Sequence, residues 1–225
     1  NAVWGNQASV LVGDFLFSRS FQIMVECESL HVLEILSNAS AVIAEGEVQQ
    51  LANTNDLGIT ERDCLAVITA KTAQLFAAAC EIGAVVAEQP KAISQTLANF
   101  GLNFGIGFQL IDDLIDYAAS DKMIGKTVGD DFREGKVTLP VLLTYKKGTK
   151  RDQGFWKRTI EHGILQDGDL EFAITLMEQH GTFEEIKDRA EKYVSIACDE
   201  LARFPESDIR QALLDAAKFC VSRVY

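Results

Sequence analysis

Residues 105–140 read GIGFQLIDDLIDYAASDKMIGKTVGDDFREGKVTLP. Asp112, Asp113 and Asp116 fall at i, i+1 and i+4, a spacing that puts them on one face of a helix. Gln109, three residues upstream, shares that face, while Phe108, Ile111, Leu114 and Ile115 cover the other side. Like charges this close repel one another, and a helix gains nothing from that. A positive partner is expected between them. Oxygen ligands suit a hard cation, and Mg²⁺ keeps its waters and favours one or two carboxylates plus phosphate oxygens. Lys126, Arg133 and Lys136 follow in a loop punctuated by glycines. Carboxylates for a metal and then lysines for an anion is the layout expected for a metal-bound phosphate ester. A DDxxD run standing alone is usually a solvated acidic face. Here Gly101, Gly105 and Gly107 lead into it through an apolar helix, which a solvated face does not need.

The rest of the chain is read outward from this helix. Its 225 residues are enough for one large domain or two small ones. With 48% hydrophobic residues, only three prolines and no clear strand alternation, it reads as all-α. A net charge of −12 argues against nucleic acid, which wants a basic stripe, and against electrostatic docking on anionic lipid. Five cysteines lack metal-ligand spacing, which suggests reduced core thiols and a cytoplasmic setting. No run of about 18 uncharged apolar residues occurs, so no transmembrane segment is expected.

Helical periodicity predicts a helix over 6–36, broken near Ser18–Ser20, and a second over 37–52. Gly13 inside the first suggests a close approach by a helix or a ligand. Thr60 with Asp63 is a helix start, and the helix over 61–87 carries Lys71 and Thr72 amid alanine, leucine and phenylalanine. A lysine there either snorkels to the surface or is aimed at an anion, and the nearby acidic motif favours the anion. A long helix covers 91–118, and another runs from Lys136 to Lys147 with Pro140 in its first turn. Beyond residue 150 come amphipathic helices over roughly 151–162, 167–180, 182–203 and 206–224, without evident chemistry. His162 and His180 read as isolated surface residues.

Five ordered blocks resemble the trans-prenyl diphosphate synthases, or polyprenyl synthetases. They are GNQASVLVGDFLF (5–17), EGEVQQL (45–51), KTAQLFAAACEIGA (71–84), GFQLIDDLIDY (107–117) and GKTVGDDFREGKVTLPVLL (125–143). The last block looks most like bacterial medium- and long-chain members of the octaprenyl kind. The resemblance implies a class I terpenoid synthase-like helical bundle around a central cavity, as one isoprenoid synthase domain over 1–225. It implies Mg²⁺-dependent condensation of an allylic diphosphate with isopentenyl diphosphate, and a homodimer. Asp112, Asp113 and Asp116 match the family's second aspartate motif, and Asp131 a position supporting the metal shell through water. Lys71, Thr72, Gln109, Lys126 and Lys136 match positions that contact the allylic diphosphate or support the reaction centre, with Lys71, Gln109 and Lys126 the catalytic candidates.

The family's first aspartate motif, its arginine pair and the helices of the isopentenyl diphosphate site are not found in these residues. The expectation is a longer native protein, with these 225 residues alone binding Mg²⁺–diphosphate weakly and transferring no prenyl group. Phe76, Phe100, Phe104 and Phe108 are expected to face the missing helices. The competing readings are a non-catalytic or regulatory subunit and a class I terpene cyclase. Product length stays open. The apolar helix at 6–36 and its neighbour are the expected dimer interface.

Overall fold

The computed structural model describes residues 3–118 and 128–223. Helices make up the architecture, and no strand occurs among the described residues. In order they are α1 (Gly5–Glu26), α2 (Leu30–Asn53), α3 (Glu61–Ile68), α4 (Gln74–Val86), α5 (Lys91–Ala118), α6 (Asp130–Arg133), α7 (Leu139–Lys147), α8 (Lys150–Trp156), α9 (Asp169–Gln179), α10 (Thr182–Leu201) and α11 (Asp208–Ser222). A π-helical turn, Thr69–Ala73, joins α3 to α4, and a second, Lys157–Glu161, extends α8.

Local chemistry sets many of the boundaries. Thr60 and Asp63 form a reciprocal capping box at the start of α3, and Thr149 and Asp152 do the same for α8. Ser29 and Ser207 cap α2 and α11 by accepting backbone N–H groups. The predicted break at Ser18–Ser20 does not occur. Ser20 Oγ turns back onto the Phe17 carbonyl at 2.6 Å inside α1. The chain breaks instead at 27–29, where Glu28 adopts φ 51° and Ser29 caps α2, which begins at Leu30, seven residues before the predicted helix at 37. The helix expected from Lys136 begins at Leu139. Lys136 N bonds Asp131 O at 3.0 Å, tying the segment before α7 to the α6 turn.

α5 is the axis of the bundle, packed between α4 and α10. Its glycines are contact notches. A Cβ at Gly101 would collide with the Phe76 carbonyl oxygen, and one at Gly105 would stand 2.6 Å from Ala73 Cα. Leu110, Ile111, Leu114 and Tyr117 form the core with Leu139, Leu142, Trp156, Ile160, Met177 and Ile186 from the helices behind. Phe100 is not exposed as expected but buried against Val194, Leu201 and Ala217. Phe76, Phe104 and Phe108 are half-buried and cluster, Phe76 edge-to-face on Phe104 at 5.2 Å between centroids and tilted against Phe108 at 5.5 Å.

α1 buries only Met24, and no atom among the described residues lies within 4 Å of a Cβ placed at Gly13. α1 and the continuous Glu61–Val86 rod are long and apolar enough to cross a membrane by length and composition alone, which a search for uncharged runs does not anticipate. The rod is packed against α2 and α5. Among the cysteines Cys64 and Cys220 are buried, whereas Cys27 is exposed and not a core thiol. His180 is not isolated, since its Nε2 stands 3.4 Å from Asp152 Oδ2.

Candidate active site

A cavity of about 790 Å³ opens between α2 and the α3–α4 rod on one side and α5 with the α6–α7 segment on the other. The last turn of α11 reaches its edge through Phe219, Ser222 and Arg223. Two walls of different chemistry face each other.

The first wall is built on the π turn. Lys71 and Thr72 are adjacent in sequence, and both line the cavity. They sit in the π turn, a local departure from the α-helix of the kind found at functional sites. Lys71 Nζ donates to Gln50 Oε1 at 2.7 Å and lies 3.2 Å from Glu47 Oε1, both on α2. The lysine therefore points to the cavity edge and not to bulk solvent, with its side chain 32% exposed.

The second wall carries the carboxylates of α5. Asp112, Asp113 and Asp116 all line the cavity, as the i, i+1, i+4 spacing requires. Gln109 joins the walls. Thr72 Oγ1 donates to Gln109 Oε1 at 2.8 Å, and Gln109 Nε2 donates to Asp113 Oδ1 at 2.7 Å. The amide turns its NH₂ to the acids and its oxygen to the threonine. Asp116 Oδ2 accepts the Asp131 backbone N–H at 3.1 Å, which ties α6 to α5.

Burial pushes the Asp113 carboxyl up to about 8, against the pull of Gln109 and with the help of the Asp131, Asp112 and Asp116 charges. Burial and the Asp131 charge push Asp116 up to about 6. These acids are held close together with too little solvent to ionise freely, which is the condition a divalent cation relieves. Among the described residues no three His, Cys, Asp or Glu side chains form a ready-made metal cage. The donor set fits a cation that completes its shell with waters and phosphate oxygens.

The loop cations are placed differently from one another. Lys136 lines the cavity with its ammonium on Asp131 Oδ1 at 2.9 Å and Glu134 Oε2 at 2.7 Å. Burial would lower its pKa, but those hydrogen bonds and charges push it up overall. Arg133 bonds the Val128 carbonyl at 2.6 Å and Asp130 at 2.7 Å, and is not among the lining residues. Lys126 lies outside the described residues.

Sequence reasoning misses Arg223. Its guanidinium sits 4.4 Å over the Phe108 ring and Nε donates to the Cys220 carbonyl at 3.2 Å, while Nη2 is buried without a hydrogen bond among the described residues. It misses Asn53 as well, which lines the cavity with a buried Nδ2 in the same condition. No local pattern marks either residue, because each gains its position from a helix that packs far from it in sequence.

Known proteins resemble this chain in sequence and fold. Residues 1–177 match the family model described as polyprenyl synthetase. The octaprenyl diphosphate synthase of Haemophilus influenzae is 40% identical over 225 residues, covering 100% of this chain and 68% of the relative. That of Escherichia coli is 43% identical over 223 residues, covering 99% and 69%. A polyprenyl synthase from Caulobacter crescentus, solved with calcium and isoprenyl diphosphate, is 47% identical and superposes with a TM-score of 0.96 over 100% of this chain and 68% of its own. With a family model matched over 1–177 and relatives at this level of identity sharing the bundle, the chain that sets carboxylates opposite Lys71 across this cavity belongs to the polyprenyl synthetase family.

Proposed function

We propose that the cavity holds an allylic diphosphate with Mg²⁺ and transfers its prenyl group to isopentenyl diphosphate. The chain is a prenyltransferase that makes a polyprenyl diphosphate. A product near octaprenyl in length is proposed from the names of the Haemophilus and Escherichia relatives. The observation that carries the reading is the Thr72–Gln109–Asp113 bridge, which fixes an anion-binding wall opposite a carboxylate wall.

Asp112, Asp113 and Asp116 are the residues proposed to hold the metal, with Asp131 supporting the shell. Bound Mg²⁺ supplies charge stabilisation to the departing diphosphate. Lys71 and Arg223 offer donors to the diphosphate oxygens from this chain, and Thr72, proposed for the same site on resemblance, reaches them only by releasing its bond to Gln109. Lys136, braced on Asp131, adds fixed positive charge at the acid wall. Lys126 is proposed for the same task on resemblance. Val67, Ile68, Ile115 and Leu139 line the cavity and keep water from the cationic carbon formed when the allylic C–O bond breaks.

Asp112→Ala in the complete protein is expected to lower prenyl transfer by about 100-fold or more with helical circular dichroism unchanged. Near-normal turnover would remove Asp112 from the metal site. The exposed Val10, Leu11, Phe15, Leu16 and Phe17 of α1 support a homodimer that covers this face. Sedimentation at micromolar concentration tests it, and a monomer would contradict it.

A further inference from the structure

Lys71 is not free to sample the cavity. Of the three donors on its ammonium, one is given to Gln50 Oε1 at 2.7 Å and a second faces Glu47 Oε1 at 3.2 Å. Both acceptors come from α2, three residues apart and so on one helix face. α2 comes this close because residue 46 is glycine. A Cβ there would stand 2.8 Å from Ala70 Cβ and 2.9 Å from Lys71 N, against the π turn itself. The approach that Gly46 permits is therefore what brings α2 to the ammonium.

The two acceptors are unequal. Gln50 lines the cavity and is neutral, so it orients the ammonium without adding charge. Glu47 is not among the lining residues, and its side chain is 50% exposed. Its carboxylate draws the ammonium outward and competes with any anion for the same donors.

We infer that Gln50 is a positioning residue that aims Lys71 at the diphosphate, and that Glu47 is a resident counter-ion that the diphosphate must displace. Together they set the affinity for the allylic diphosphate from a helix that carries none of the metal-binding carboxylates. This rests on the reading that Lys71 contacts the diphosphate.

The test uses the complete protein, with calorimetric binding of inorganic pyrophosphate in Mg²⁺ and steady-state kinetics with an allylic diphosphate. Lys71→Met should weaken pyrophosphate and raise KM. Gln50→Leu should raise KM about tenfold, the scale of one hydrogen bond to a charged group, with little change in kcat. Glu47→Gln should tighten pyrophosphate about threefold, a small gain because the carboxylate is half in solvent. In a Lys71→Met background, Gln50→Leu should have no further effect. If Lys71→Met leaves pyrophosphate binding unchanged, the anion role of Lys71 fails and the inference falls with it. If Lys71→Met weakens binding but Gln50→Leu costs the same with and without the lysine, Gln50 is only structural and the inference fails alone. A Glu47→Gln protein that binds pyrophosphate no tighter than the parent overturns the counter-ion role.

Discussion

α1 and α5 are both long, apolar and interrupted by glycine, yet they sit in opposite surroundings. α5 lies between α4 and α10, with its notches at Gly101, Gly105 and Gly107 filled by neighbouring atoms. α1 leaves Phe15 66% exposed, and its Gly13 meets nothing within 4 Å among the described residues. Apolar composition means that a helix needs cover; it does not say what covers it. A glycine likewise has no single meaning, since its value depends on whether another backbone has come close.

Substitution at the two glycines should separate the helices most sharply. Gly101→Ala drives a methyl group into the Phe76 backbone, and no flexible side chain can yield there. A loss of about 3 kcal/mol is expected, read as a fall in Tm by thermal denaturation. A Tm equal to the parent would mean that α4 and α5 are looser than their packing implies.

A second effect is electrostatic and belongs to α5 alone. Asp113 has its folded pKa raised from 3.8 to about 8 by burial. Below pH 3.8 both the folded and the unfolded chain hold the proton, and stability does not depend on this group. Between 3.8 and 8 the unfolded chain releases the proton while the folded one keeps it, so stability falls as pH rises. Above 8 the full cost is present. Asp113→Asn should therefore raise Tm in metal-free buffer, and by more at pH 8 than at pH 5. An equal gain at both values would show that desolvation is not what strains this carboxyl.

The smallest effect is expected on α1. Gly13→Ala should raise stability by up to about 1 kcal/mol through helix propensity, or roughly 2–4 °C in Tm for a chain of this size. A fall instead would make Gly13 a notch like Gly101 and locate the covering subunit against it.

Much of α5 is legible in the sequence. The i, i+1, i+4 aspartates, Gln109 on the same face and the apolar flank of Ile111 and Leu114 follow from helix periodicity, and each lies where that periodicity puts it. Thr60 and Pro140 mark their helices through chemistry contained within four residues. Ser20 misleads, because a serine hydroxyl can serve the carbonyl of the preceding turn as readily as it can stop a helix. Glu28 conceals the true break, since a glutamate in the left-handed region carries no compositional signal.

The sequence by itself determined the all-helical class, the shared face of the acids and, through its ordered motifs, the family. All of these depend on spacings along the chain, where propensity, capping and side-chain periodicity act over a turn or two. Tertiary structure alone decided how the walls meet: Lys71 with Gln50, 21 residues away, Thr72 with Gln109, 37 residues away, and Arg223 over Phe108. Those partners sit on different helices. Which faces touch is settled by where backbones can approach, at Gly46, Gly101 and Gly105, and by how the π turn holding Lys71 and Thr72 packs against α2. Neither is written in the period of any single helix.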